Sequence, residues 1–158
     1  MRLTADAVAE EHAWIRDRSD VVVPLINDVR GRLGEVFGVE VGTVDETAYR
    51  AEADAVFDDG DRAVNVAALV ALLRDLDVVD DYPGFVVDEL LGRELAATVA
   101  GDQPFRLLAE ATFHFADIHT HTAGTAGADD LDAALAAGFQ SRLPGWPWTT
   151  EKSPFAPR

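Results

Sequence analysis

The positions of the prolines divide this sequence into two parts that cannot fold alike. Four of the seven prolines follow residue 142, namely Pro144, Pro147, Pro154 and Pro157. Each proline removes a backbone N–H and clashes with the preceding helical turn, so the segment they occupy is predicted to be extended. We therefore expect one domain over residues 1–142 and an extended C-terminal tail over 143–158, packed on the domain or on a partner.

Apolar residues recur every three or four positions through most of residues 1–142, which is typical of amphipathic helices. Thr4 is a candidate N-cap, and either Thr43 or Asp45 is another. Glycines at 38, 60 and 101 are expected to end helices. The pattern predicts an all-α fold, a compact bundle of five to seven helices with a Pro/Trp-rich C-terminal strap.

Finer expectations follow from the same pattern. Pro24 is expected either to kink one long helix or, as we favour, to start a second helix, with residues 19–24 (SDVVVP) as the joint. Residues 80–84, DDYPG, are expected to form a turn, and residues 39–44 a loop. The helix that follows Asp61 is expected to be the most buried, since apolar residues occupy several of its faces. A short last helix is expected over 128–139.

The charge balance is strongly one-sided. Nineteen Asp and ten Glu oppose twelve Arg and one Lys, for a formal net charge of −16. Asp above Glu, almost no Lys, and abundant Val and Ala resemble proteins of halophilic archaea, whose cytosol holds molar salt that screens such repulsion. An acidic protein of a GC-rich bacterium is the alternative. The lack of a basic stripe argues against nucleic acid and against anionic membrane surfaces as partners.

The remaining composition points to the cytoplasm. Cysteine is absent, so neither a disulfide nor a thiolate metal site is expected. The first residues lack the apolar core of a signal peptide. The longest apolar run, VAALVALL at 66–73, is far short of the roughly 20 residues of a membrane-spanning helix.

Three of the four histidines lie in one stretch, FHFADIHTHTAG at 113–124. On a helix, four side chains there share one narrow stripe: Glu110, His114, Asp117 and His121. Leu108, Ala111, Phe115, Ile118 and Thr122 then lie on the apolar side, together with His119. Imidazoles and carboxylates are ligands that divalent transition metals accept, so the stripe is a candidate metal site.

One helix rarely supplies all the ligands of an ion, and the only further cluster with a histidine is Glu10–Glu11–His12. The competing interpretation is a solvated helix face with ordinary ion pairs four residues apart. A histidine that transfers protons or handles phosphate is a third. Because the segment is rich in Thr and Phe, a strand at 113–119 is the second structural choice.

The stretch ADIHTHTAGTAGADDLDAALAAGF is also similar to the opening of PHP-type metallohydrolases, in which Asp-x-His-x-His ends the first strand. The resemblance implies that His119 and His121 are metal ligands. The context departs from that family, because only 19 residues follow Phe139 and no Thr-Asp-His element comes next. We interpret the match as coincidental.

The tail carries aromatic residues suited to docking in a groove: Trp146, Trp148 and Phe155. The groove belongs either to the same molecule or to a partner. No complete catalytic set is present in the sequence. The sequence therefore favours a non-catalytic helical interaction module, such as an adaptor, a small subunit or an assembly factor. It would bind a protein partner or form a homo-oligomer. The alternative is a metal-binding bundle protein or metal-dependent enzyme that uses the 110–121 stripe.

Overall fold

The computed structural model describes residues 1–120 and 126–146, and within these ranges all regular structure is helical. The elements are α1 (Ala5–Asp17), α2 (Ser19–Phe37), α3 (Glu46–Asp58), α4 (Gly60–Asp75), α5 (Asp81–Val87), a π-helical segment (Asp88–Gly92), α6 (Arg93–Ala100), α7 (Phe105–Thr120) and α8 (Ala126–Arg142). Because α5, the π-helical segment and α6 follow one another without a break, we count them as one continuous helical rod. With this rod counted once, the described residues form seven helices. The all-α prediction is confirmed. The strap residues 147–158 lie outside the described ranges.

Local side chains start α1 and α3 where the sequence predicts, whereas Gly60, expected to end a helix, is the first residue of α4. The Thr4 hydroxyl accepts a hydrogen bond from the Ala7 N–H at 3.1 Å, and the Asp45 carboxylate accepts one from the Ala48 N–H at 2.8 Å. Both satisfy donors that a helix start leaves without partners. Gly38 ends α2 in the left-handed conformation, with φ of 65°. The segment between α2 and α3 has no regular structure, as expected.

Two boundaries expected at prolines are wrong. Helix α2 begins at Ser19 and carries Pro24 inside it, and the burial of Val22 and Val23 stabilises its first turns. Pro24 forfeits one backbone hydrogen bond there, which the packing offsets. Residues 81–84 are the start of α5 rather than a turn, since Pro83 occupies a first-turn position whose N–H needs no partner.

The centre of the fold is α8, whereas the sequence pattern favours α4. From Asp130 to Ser141, every residue except Asp132 is buried, and helices α2, α3, α4, α5, α6 and α7 all contact α8. Its alanines and glycine allow close approach: a Cβ added at Gly138 would lie 2.7 Å from Val99 and 2.9 Å from the Ala96 carbonyl oxygen of α6. Small residues thus let α8 pack on all sides, and it extends to Arg142 instead of ending at 139.

Within the described ranges, each helix is too short or too polar to serve as a membrane span.

Candidate functional site

Helix α7 presents one edge to the core. Ala109, Thr112, Phe113 and Ala116 are its buried residues. The Thr112 hydroxyl accepts a hydrogen bond from the Gln140 amide of α8 at 2.8 Å. On the other side, a Cβ added at Gly92 would lie 2.4 Å from the Phe113 ring. Helix α7 therefore fits between α8 and the rod that contains α6.

The opposite edge of α7 is exposed and carries two large aliphatic residues. Four residues form it, and we call them the α7 face: Leu107, Ala111, His114 and Ile118. Leu107 is 61% exposed and Ile118 is 70% exposed. The spacing of four, three and four residues places the set on one line along the helix. A surface helix normally carries polar residues on this side, so the α7 face is a candidate interaction surface.

The sequence pattern assigned Ala111 and Ile118 to the buried side of this helix, and that assignment is wrong. The structure buries an edge of small and aromatic side chains instead, because only small residues allow α6 and α8 to pack so near. Leu108, Phe115 and His119 are half-buried at the flank, where His119 packs edge-on against Phe115 with ring centres 4.7 Å apart.

The residues of the predicted metal stripe have partners of ordinary kinds. Glu110 lies 3.6 Å from the Arg106 guanidinium one turn earlier. His114 Nε2 lies 3.3 Å from a carboxylate oxygen of Glu89 in the π-helical segment. Asp117 is half-buried, and His121 lies outside the described residues. Among residues 1–120 and 126–146, no group of three or more potential ligands is close enough to hold a metal ion.

The helix at 105–120 excludes the strand considered for 113–119. The other histidine cluster does not join the stripe. His12 Nε2 lies 2.7 Å from Asp54 Oδ1 on α3, and its ring stacks on Phe57 with centres 4.5 Å apart. Arg16 binds the second oxygen of Asp54 and, as the largest cause, holds the pKa of that carboxyl below its ordinary value. His12 thus ties α1 to α3.

The described part of the tail packs on its own domain. Trp146 is buried, and its indole N–H donates to the Gln140 carbonyl at 2.8 Å. The Arg30 guanidinium lies 5.1 Å from the centre of the Trp146 ring. The Gly42 N–H donates to the Gly145 carbonyl at 2.9 Å, so the tail start is joined to the loop between α2 and α3. The other two predicted docking residues, Trp148 and Phe155, lie outside the described ranges.

Arg30 is a buried residue that the sequence analysis missed. Its two terminal nitrogens donate at 2.7–3.1 Å to four carbonyl oxygens, those of Gly42, Gln140, Leu143 and Pro144. Burial lowers the pKa of Arg30 to about 10. The signal for this in the sequence was a basic residue on the apolar side of α2. Arg30 lies four positions after Ile26 and one after Val29, and both of these are buried.

The rod that precedes α7 also exposes large apolar residues. Tyr82 is 78% exposed, while Phe85 and Leu90 are each 61% exposed. The contact between Glu89 and His114 places the π-helical segment beside the α7 face.

Comparison with known proteins identifies the family. A family model described as a domain of unknown function (DUF7984) matches residues 1–158, so the chain belongs to that family. No curated protein matches the chain. No solved structure matches it either.

Proposed function

We propose that this member of the DUF7984 family is a non-catalytic helical interaction module: an adaptor, a small subunit or an assembly factor. It acts in the cytoplasm of a halophile and binds a protein partner or another copy of itself through the α7 face. Nucleic acid and membranes are not its partners, since the chain has 13 basic against 29 acidic residues and no basic stripe.

The observation that carries the proposal is the exposure of Leu107 and Ile118 on a helix whose other edge is fully packed. Burying one large aliphatic side chain is worth roughly 1.5–3 kcal/mol. Eleven residues separate the two, so they stand about 16 Å apart on one side of the helix. Such a line of apolar side chains is the form in which a helix presents itself to another helix or to a groove.

A site-specific covalent test addresses this proposal. A photoactivatable benzoylphenylalanine would replace Ile118 in the full chain, which is expressed in its own host and irradiated. We expect a covalent adduct whose second component is identified by mass spectrometry, because the α7 face is occupied when the protein functions. A Leu107→Glu substitution in the same chain should abolish that adduct, since it places a charge in the apolar line.

The control places the same photoactivatable group at Phe37, which is 72% exposed at the end of α2 and so matches Ile118 in exposure. This position should give no adduct that depends on Leu107. Adducts of equal yield from both positions, or an Ile118 adduct indifferent to Leu107→Glu, would refute the role of the α7 face.

A site for a divalent transition metal at Glu110, His114, Asp117 and His121 is the second candidate. Its support is the Glu89 carboxylate, which a second element brings to 3.3 Å from His114. Metal analysis of protein purified without an affinity tag distinguishes the two candidates.

A further inference from the structure

We infer that the partner of the α7 face is the same face of a second copy of this chain, in antiparallel orientation about a two-fold axis. The inference rests on the proposed function and specifies its partner. In this arrangement Leu107 of each copy lies opposite Ile118 of the other, and Ala111 lies opposite His114. Measured along the helix, the two-fold axis crosses the α7 face at the level midway between residues 112 and 113.

The spacing of the face fits a second helix of the same kind. Steps of four, three and four residues are those of a heptad seam, which stays in register with a partner helix over several turns. The set is also symmetric about its own centre, with large aliphatic residues at both ends and Ala111 and His114 between them. A self-complementary patch of this kind is what a two-fold interface requires, because each copy presents the same surface to the other.

The distribution of charge favours a second copy over a basic partner. A chain with a net charge of −16 repels its own kind, and its acidic surfaces are where a basic protein would bind. Only two of the 29 acidic residues, Glu110 and Asp117, lie between residues 103 and 128. The acidic neighbours of α7 are also paired: Glu94 lies 3.0 Å from Arg106, and Glu89 lies near Arg93 and His114. The α7 face is therefore a place where two acidic copies can meet.

The area available sets the strength of the contact. Helix α7 has 16 residues and is about 24 Å long, so one face of it buries only a few hundred Å². A stable interface buries roughly 800 Å² per partner. The α7 face alone is smaller than this, so the contact it makes is weak. We expect a reversible dimer that forms in the micromolar range rather than an obligate one.

The first experiment measures mass. Sedimentation equilibrium of the full chain in 1 M KCl would be followed from about 1 to 300 μM, a range that brackets a micromolar dissociation constant. We expect the mass to rise from 17.0 kDa toward twice that value. Ile118→Glu should shift the midpoint at least tenfold in concentration. It should leave the melting temperature unchanged when both proteins are measured well below that midpoint, because the side chain is exposed in the monomer. Phe37→Glu is the matched control and should dimerise like the unmodified chain.

The second experiment tests the orientation. The chain contains no cysteine, so single-cysteine variants form disulfides only at the chosen positions. In the antiparallel arrangement, a mixture of Leu107→Cys and Ile118→Cys chains should give a linked dimer on oxidation. Either variant alone should not, because its own two cysteines would be about 16 Å apart along the axis, far beyond the roughly 7 Å between Cα atoms that a disulfide spans.

Five results would overturn the inference. A mass of 17.0 kDa at every concentration would show that no second copy binds. A dimer unaffected by Ile118→Glu would place the interface elsewhere. Disulfides between two chains of the same variant, with none between a Leu107→Cys chain and an Ile118→Cys chain, would show a parallel arrangement. An Ile118 photoadduct with a different protein, from a chain that is monomeric when purified, would overturn this inference and leave the proposed function standing. An adduct to residues 147–158 of the same chain would refute both.

Discussion

At the scale of single residues, two buried charged groups are held in opposite ways. Arg30 is 1% exposed, but its terminal nitrogens donate to four carbonyl oxygens. Asp130 is 2% exposed, and its Oδ2 atom has no hydrogen-bond partner within the described residues. Burial raises the pKa of Asp130 to about 7. Arg30 therefore joins segments of the chain, whereas Asp130 makes the stability of the fold depend on pH.

The pH dependence has a definite sign. Because the folded pKa of Asp130 lies above its ordinary value of 3.8, the protonated form is favoured in the fold. Its contribution to stability is fully present below pH 3.8 and is lost as pH rises toward about 7. We expect Asp130→Asn to be more stable than the unmodified chain, with a difference that grows from pH 4 to 7 and stays constant above. Near pH 8 the gain should be roughly 1–3 kcal/mol, the cost of a buried group without a partner.

Denaturant unfolding at several pH values measures this difference. Asp132 supplies the control, because its two oxygens each accept a hydrogen bond from Arg18 at 2.9 Å. Asp132→Asn should lower the stability near pH 8. Equal stability of Asp130→Asn and the unmodified chain at pH 4 and at pH 8 would contradict the assignment.

At the scale of elements, the end of α8 and the start of the tail are held by α2. Arg30 of α2 reaches the carbonyls of Gln140 and Leu143 at the helix end, and those of Pro144 and Gly42 beyond it. The Trp146 ring covers the guanidinium. Carbonyls at a helix end lack partners within the helix, so a buried arginine satisfies several of them at once. Helix α8 can therefore end inside the fold.

We expect Arg30→Met to destabilise the protein, because it leaves buried carbonyls without a donor and each such group costs roughly 1–3 kcal/mol. Arg30→Lys should also be destabilising, since an ammonium group cannot reproduce the planar fork. Thermal and denaturant unfolding, with tryptophan fluorescence as one probe, measure both changes. Arg32→Met is the control two residues away, where the side chain is half exposed and pairs only with Asp28 at 3.1 Å, and it should cost less than about 1 kcal/mol. Similar losses for Arg30→Met and Arg32→Met would contradict the role of Arg30.

At the scale of the whole molecule, the excess of acidic residues acts through its summed negative charge. Most arginines within the described residues already form ion pairs with acidic side chains. Examples are Arg74 with Glu11 at 2.8 Å and Arg142 with Glu52 at 2.9 Å. The unpaired acidic residues repel one another, and this repulsion opposes the compact state. Salt shortens the range of repulsion from about 10 Å at 0.1 M to about 3 Å at 1 M.

If the charge is an adaptation to molar salt, the melting temperature should rise between about 0.1 and 3 M KCl, a series that spans these screening lengths. Circular dichroism would follow the unfolding of α-helix. The exposed-face variant Ile118→Glu, measured in the same series, separates the effect of salt on folding from its effect on dimerisation. A melting temperature that is flat or falls with salt would refute the proposed halophilic adaptation.

Residue types and local spacing were enough to determine the all-α class and several helix ends. Thr4 and Asp45 supply oxygens to N–H groups three residues away, and Gly38 adopts a left-handed conformation. These are local interactions, so the sequence alone encodes them. The acidic excess is likewise a property of composition.

Only the tertiary structure decided which side of each helix is buried. Ile118 and Ala111 have the chemistry of core residues, but they are exposed because α6 and α8 already pack against the small residues of the other edge. Helix α8 is central because its alanines and Gly138 permit close approach, a preference that depends on its neighbours. Arg30 is buried because four carbonyls from distant segments meet there. Periodicity specifies that a helix has faces, whereas long-range packing selects the one that is covered.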